Sequence, residues 1–171
     1  MKINKKDIII IFIVILAGVF IFHTLNENNQ QSSGDQHEIV LYFSDQNAQF
    51  LKPETRTITS DSLYKDTLKE LIKGPENNNL NKTIPAGVKV LDISINNNVA
   101  LINFNQALIE NHWGGSTGER MTVYSIVNTM TQFDEINQVK IIVEGTDIET
   151  LVGHMDLSRP LKKNNKIIDQ K

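Results

Sequence analysis

Residues 89–104 of this 171-residue chain read KVLDISINNNVALINF, and they carry the clearest folding signal in the sequence. The first half alternates aliphatic and polar residues, which predicts a strand with one buried face. That face is formed by Leu91, Ile93 and Ile95. Asn96-Asn97-Asn98 suits a tight turn, because asparagine tolerates positive φ angles. Val99–Phe104 then predicts the returning strand, so the stretch as a whole predicts a β-hairpin.

Upstream of this hairpin, the sequence predicts a strand and a helix. Glu38–Phe43 is a short apolar run that predicts a strand, and the polar residues 45–55 predict a loop. Arg56-Thr57-Ile58 predicts a second, short strand. Four apolar residues at helical spacing follow, namely Leu63, Leu68, Leu71 and Ile72, with Ser60 or Ser62 as the cap. Gly74-Pro75 is a stop signal for that helix.

Downstream of the hairpin, the sequence predicts a second helix between strands. Residues 105–115 predict a loop, and Ser116 with Glu119 fits a capping box, in which both side chains bind first-turn amides. The helix should reach about Phe133, with a buried stripe formed by Met121, Tyr124, Val127 and Met130. Val139–Val143 predicts a strand, and Leu151-Val152 predicts a last edge strand.

The element order β-α-β-β-α-β predicts an α+β fold with a small mixed sheet and two helices on one face. The sequence also divides the chain into five segments. They are a cytoplasmic N-terminus (1–7), a transmembrane anchor (8–25), a flexible linker (26–37), a folded domain (38–161) and a disordered tail (162–171).

The predicted anchor rests on an uncharged apolar run, Ile8–Phe22. As a helix, residues 8–25 span about 27 Å, which is close to the roughly 30 Å of a bilayer core. Three lysines precede the run and no Lys or Arg follows before Lys52, so the positive-inside rule places the domain outside the cytoplasm. The alternative is a cleaved signal peptide, although the run is long for one and no small-x-small cleavage site follows.

Composition excludes several classes of function. The chain has no cysteine, which excludes disulfides, thiol catalysis, thiolate metal sites and a lipid-bearing cysteine. Its net charge is −3, from 17 basic and 20 acidic residues. The segment before the apolar run holds three lysines and one aspartate, so the remainder has 14 basic and 19 acidic residues. An acidic domain is a poor partner for nucleic acid.

One motif could indicate a hydrolase. Gly114–Gly118 matches G-x-S-x-G, and Asp134 or Asp147 and then His154 follow in the order of a catalytic triad. The four residues before it are not an apolar strand, so we interpret Ser116 as a helix cap. The same glycines could bind an anion at a helix N-terminus, but they match neither phosphate-binding motif and favour a flexible loop.

Two further groups of residues are candidate sites. Glu144, His154 and Asp156 lie close in sequence, with His112 further away, but no metal-ligand spacing exists and we predict no metal or cofactor. Trp113 is the only tryptophan. It either closes the edge of the core, which we favour, or is an exposed contact for a protein partner together with Gly114 and Gly115.

Several stretches in order resemble the GerM-type (GerMN) domain of sporulation and spore-germination proteins, over about residues 40–160. They are LYFSD (41–45), LIKGP (71–75), IPAG (84–87), VALINF (99–104), IVNTM (126–130), VKIIVEG (139–145) and TLVGHMD (150–156). The resemblance implies a non-enzymatic envelope module, related to ring-building folds. It differs in having one domain where the eponymous protein has two, and an apolar helix where others carry a lipidated cysteine.

Two functions follow as hypotheses. The first is a binding or assembly module on the outer face of the membrane, which contacts other envelope proteins or a second copy of itself. This module binds no nucleic acid and catalyses no reaction. The second is a cell-wall-associated ligand-binding protein or hydrolase that uses the Gly114–Gly118 loop with His112, Glu144 and His154. A pocket that gathers these side chains would favour the second hypothesis.

Overall fold

The computed structural model describes residues 35–169. The strands are β1 (Asp35–Asp45), β2 (Leu51–Ser60), β3 (Leu80–Asn81), β4 (Val90–Asn96), β5 (Val99–Phe104), β6 (Gln138–Val143), β7 (Thr146–Asp147) and β8 (Leu161–Lys162). The helices are α1 (Leu63–Lys73), α2 (Ala107–Glu110) and α3 (Ser116–Met130), with a 3₁₀ turn at Asn165–Ile167. The predicted α+β class is therefore confirmed.

The β4–β5 hairpin forms as the sequence predicts. Asn97 and Asn98 have φ angles of 51° and 61°, which are the values that a two-residue type I′ turn requires. A β-bulge between Val90 and Asp92 changes one detail. It places Val90 in the core and leaves Leu91 41% exposed. The prediction that Leu91 shares the buried face is therefore wrong, because a bulge shifts side chains between the faces.

Two sheets replace the single predicted sheet. One has the strand order β2-β1-β3, and the other has the order β4-β5-β6-β7 with β8 also paired to β6. The second sheet is mixed, since β4 and β5 are antiparallel whereas β5 and β6 are parallel. Strand β2 begins at Leu51, inside the predicted loop 45–55, and it tolerates Pro53 as an edge strand can.

Both long helices pack into one mainly aliphatic core. Leu68 and Leu71 of α1 and Val123, Ile126 and Val127 of α3 join strand residues from both sheets in a single cluster. Helix α1 contacts β2 and β4, and α3 contacts β6 and β8. Helix α3 and the turn after it also bind the backbone of β1, because Thr129 on α3 and Gln132 in the turn hydrogen-bond Tyr42 and Val40.

The segment after β6 covers the outer face of that strand. Lys140 lies on this face, is buried, and donates its ammonium group to the carbonyls of Leu157 and Ser158 at 2.8 and 3.0 Å. It also pairs with Asp147. Burying a lysine is costly unless its protons are bound, and here three oxygens bind them. The predicted edge strand at Leu151-Val152 is instead a bend, since these residues turn toward α3.

The C-terminal segment is ordered up to residue 169, so the prediction of a disordered tail from 162 is wrong for those residues. Asn164 exchanges two hydrogen bonds with the side chain of Asn128 on α3. Ile167 is 4% exposed and packs in a second cluster with Tyr42, Leu51 and Met121. At the other end, β1 begins at Asp35, inside the predicted linker 26–37.

Within residues 35–169, no helix combines the length and apolar character needed to cross a bilayer. The predicted cytoplasmic N-terminus, the anchor 8–25 and most of the predicted linker lie outside the described residues.

Candidate functional site

Trp113 lies on the surface at the start of α3. Its side chain is 53% exposed, which is the largest value among the exposed large hydrophobic residues of the described chain. The indole rests on Gly118, where an added β-carbon would lie 2.7 Å from Nε1 of Trp113. The favoured expectation that Trp113 closes the core edge is therefore wrong, since half of the side chain faces solvent. Its two neighbours, Gly114 and Gly115, have φ angles of 79° and 78°.

His112 holds this loop from its other side. Its ring stacks on Trp113 with centroids 5.2 Å apart and an interplanar angle of 28°. The ring nitrogen Nδ1 accepts the backbone N–H of Gly114 at 2.9 Å, and Nε2 lies 3.1 Å from Oγ1 of Thr122 on α3. Burial lowers the pKa of His112 below its usual 6.5, while the charge of Glu119 acts in the opposite direction. Gly118 and His112 therefore hold the exposed Trp113 side chain in place from two sides.

Helix α3 begins without the predicted capping box. Gly115 is the N-cap residue, and no side chain caps the first turn. Ser116 is already inside the helix and exposed. Glu119, which the capping box would turn back to the first amides, is fully buried and points to a distant segment. The capping-box prediction is therefore wrong, because the Glu119 carboxylate forms a tertiary contact instead of binding the first-turn amides.

The Glu119 carboxylate binds residues 150–154. One oxygen accepts the hydroxyl of Thr150 at 2.6 Å and the backbone N–H groups of Leu151 and Val152 at 2.8 and 3.1 Å. The other accepts the backbone N–H of His154 at 2.8 Å. Burial alone raises the pKa of Glu119, but these donors outweigh it and hold the pKa below its usual 4.5. The buried charge is thus fully satisfied, and it fixes the segment against α3.

The residues of the hydrolase hypothesis are not assembled into a triad. Both ring nitrogens of His112 are engaged by Gly114 and Thr122, and neither binds Ser116. His154 is held through its backbone, and its side chain is exposed. Glu144 is exposed at the β6–β7 turn, where it accepts the backbone N–H of Gln106. The sequence before Ser116 is a short helix and a loop, whereas a nucleophile elbow needs a strand.

The metal hypothesis also finds no cluster. Within residues 35–169, no group of three or more His, Asp or Glu side chains converges as metal ligands would. Asp156 binds the amide and hydroxyl of Ser158, which gives its carboxylate a local task in the turn.

Sequence reasoning missed Glu119 and Arg56 as organising residues. Arg56 is buried in β2, where it binds the carboxylates of Glu54 and Glu70 and the carbonyl of Gly74. Its guanidinium also lies 5.6 Å from the ring centroid of Phe43. The isolated arginine in a polar, Thr-rich strand was the available signal, but its partner Glu70 lies on a different element, α1.

A sequence profile of the sporulation and spore germination (Germane) family matches residues 40–149. No match exists among the curated proteins compared.

The chain is similar to several solved structures. A putative lipoprotein from Clostridium perfringens is 30% identical, with a TM-score of 0.55, over 75% of this chain and 88% of that one. The first GerMN domain of the sporulation protein GerM from Bacillus subtilis is 22% identical, with a TM-score of 0.58, over 76% and 98%.

The tandem GerMN domains of the same B. subtilis protein align with a TM-score of 0.65 at 24% identity, over 75% of this chain. The chain spans 46% of that tandem structure, so it corresponds in length to about one of two domains. These GerM likenesses show the fold, and the family match together with the lipoprotein shows the relationship. The chain belongs to the sporulation and spore germination (Germane) domain family.

Proposed function

We propose that the chain is a membrane-tethered, non-enzymatic module of the cell envelope that binds or helps to assemble other envelope proteins in sporulation or spore germination. Its family is described by these two processes. One similar structure belongs to a sporulation protein, and another belongs to a putative lipoprotein, which is a membrane-attached class of protein. The predicted N-terminal anchor would supply the attachment that the absent cysteine cannot.

The single observation that carries the binding role is the exposed, supported indole of Trp113. Tryptophan is enriched at the energetic centres of protein interfaces, because it buries a large area at a low cost in conformational entropy. Here the ring is already positioned by Gly118 on one side and His112 on the other. A partner would therefore meet a preformed apolar surface.

The place of this surface in the domain also supports the proposal. The chain enters the domain at Asp35, and the following part of β1 binds Gln132, just beyond the C-terminal end of α3. Trp113 precedes the N-terminal end of the same helix, which is 15 residues long. These two ends are about 22 Å apart at 1.5 Å per residue. Trp113 and the contact between Val40 and Gln132 therefore lie at opposite ends of α3.

The hydrolase and ligand-binding alternative receives less support from the geometry. His112 uses both ring nitrogens to hold the loop, and Glu119 uses both oxygens to hold residues 150–154. Both side chains are therefore occupied by contacts within the structure around the start of α3.

A photocrosslinking experiment tests the proposal. A photoreactive amino acid replaces Trp113 in the full chain, expressed in the cells that produce it, and crosslinks are compared in growth and sporulation. The matched control carries the same amino acid at Phe50, an exposed aromatic residue in the β1–β2 turn (40% exposed). We expect a discrete adduct with an envelope protein, or with a second copy, from position 113 only.

Equal adducts at both positions, or none at position 113 under any growth condition, would contradict the proposed contact. An adduct of twice the chain mass would identify self-association as the contact.

A further inference from the structure

The hydrogen bonds around His112 define its protonation state. The hydroxyl of Thr122 donates its one proton to the carbonyl of Thr83 at 2.6 Å, so it can only accept from Nε2 of His112. The backbone N–H of Gly114 donates to Nδ1, which must therefore carry a lone pair. Both contacts require the neutral imidazole with its proton on Nε2.

Protonation of His112 would remove one of these contacts. A proton on Nδ1 would point at the N–H of Gly114. Two hydrogen-bond donors would then face each other, and the attractive contact would be lost. Gly114 and Gly115 both adopt positive φ angles, and a β-carbon on either would meet no atom within 4 Å. These two glycines therefore have open space into which they can move once the Gly114 bond is lost.

Two effects favour the protonated ring, and both are identifiable. Of the charged groups in residues 35–169, Glu119 on the first turn of α3 is the one whose field acts on the imidazole. Its charge is shared among four hydrogen-bond donors, which reduces its effect on His112. The stacked Trp113 would also attract a cationic ring. Burial of the imidazole opposes both effects and is the larger influence.

We propose that His112 is a pH-sensitive switch for the Trp113 surface: the neutral imidazole holds residues 113–115 through the Gly114 hydrogen bond, and its protonation releases them while Nε2 stays bound to Thr122. The relevance of this switch to binding rests on the proposed function, whereas the switch itself is a property of the isolated chain. Acidification would detach the indole from Gly118 and remove the preformed surface.

The test uses the full chain and its single tryptophan. Acrylamide quenching of Trp113 fluorescence is measured between pH 8 and pH 4.5, while the ring resonances of His112 are followed by NMR to locate its protonation. We expect the quenching constant to rise about twofold, since roughly half of the side chain is covered in the closed loop. The rise should follow the His112 titration, with a midpoint below pH 6.5.

Two variants make the test specific. In His112→Asn, the amide oxygen can still accept the N–H of Gly114 but cannot titrate, so quenching should not change with pH. His154→Asn removes an exposed histidine and should leave the transition intact. Quenching that stays constant while His112 titrates, or a transition that survives in His112→Asn, would overturn the switch.

Because this experiment needs no partner, its failure would leave the Trp113 contact standing. A failed crosslink would, conversely, leave the switch standing.

Discussion

His154 donates its backbone N–H to the Glu119 carboxylate at 2.8 Å, across 35 residues of chain. This bond joins the first turn of α3 to the segment that follows β7, and three further donors from residues 150–152 converge on the same carboxylate. A buried carboxylate with four hydrogen-bond donors stabilises the fold only while all four hydrogen bonds are formed.

Replacing Glu119 with Gln should therefore destabilise the domain. The amide oxygen can keep one set of donors, but its NH₂ group would face the remaining N–H, so we expect a loss of about 1–3 kcal/mol in the free energy of unfolding. Urea denaturation measures this loss. The matched control is Glu149→Gln, an exposed position that should change stability by less than about 0.5 kcal/mol. Equal effects of the two variants would contradict the role of Glu119.

The low pKa of the Glu119 carboxylate also predicts how the free energy of unfolding decreases at acid pH. Its pKa in the folded state is below 4.5, so its contribution is fully present above that pH and is lost as the pH falls through the folded pKa. Urea midpoints are measured from pH 7 to pH 3. The midpoint concentration should decrease once the pH drops below about 4.5. The fall should be shallower in Glu119→Gln, which cannot titrate there. An unchanged slope in that variant would show that other carboxylates dominate.

Gly118→Ala should move Trp113 without unfolding the chain. The new methyl group would lie 2.7–2.8 Å from Nε1 and Cδ1 of the indole, which must swing away toward solvent. The helix itself gains about 0.5–1 kcal/mol from the loss of a glycine. We expect a red shift in tryptophan emission with no loss of thermal stability. An unshifted emission maximum would mean that the indole does not rest on Gly118.

Arg56→Met should cost about 3 kcal/mol or more, because it leaves the acidic partners of a buried arginine without their cation. The control is Lys52→Met on the same strand. Lys52 forms a partly exposed ion pair with Asp169, so its loss should cost less than about 1 kcal/mol. Chemical denaturation of both variants separates the two cases, and similar losses would argue against a special role for Arg56.

Ile167→Ala tests the ordered C-terminal segment. Its side chain is buried against Tyr42, Leu51 and Met121, so truncation should cost about 2–4 kcal/mol. Replacing the neighbouring Lys166 with Ala, at an exposed position, should cost little. A neutral effect of Ile167→Ala on thermal stability would contradict the packing of this segment against the domain.

The features that the sequence predicted correctly are those encoded locally. Asn97 and Asn98 specify their own turn, and Gly74 ends α1 wherever that helix lies. The misassigned features depend on distant partners. Leu51 begins strand β2, which pairs with β1, and Asn164 is held in place by its hydrogen bonds with Asn128. Local sequence patterns do not predict contacts with partners so far along the chain.

The candidate site shows the same division. The sequence identified Trp113, Gly114 and Gly115 as a possible contact, since a lone tryptophan beside glycines is conspicuous without any structure. It could not show that Gly118 supports the indole, because that contact depends on how the loop folds back on α3. Glu119 was assigned to the wrong partner for the same reason, since local chemistry offered a sufficient explanation.

Helix α3 has ten of its fifteen residues buried, and polar side chains on several of its sides bind fixed partners. Such a helix cannot rotate or slide without breaking several of these bonds at once. Binding at Trp113 should therefore involve little loss of conformational entropy within the domain, and the heat-capacity change on association should reflect the contact area alone.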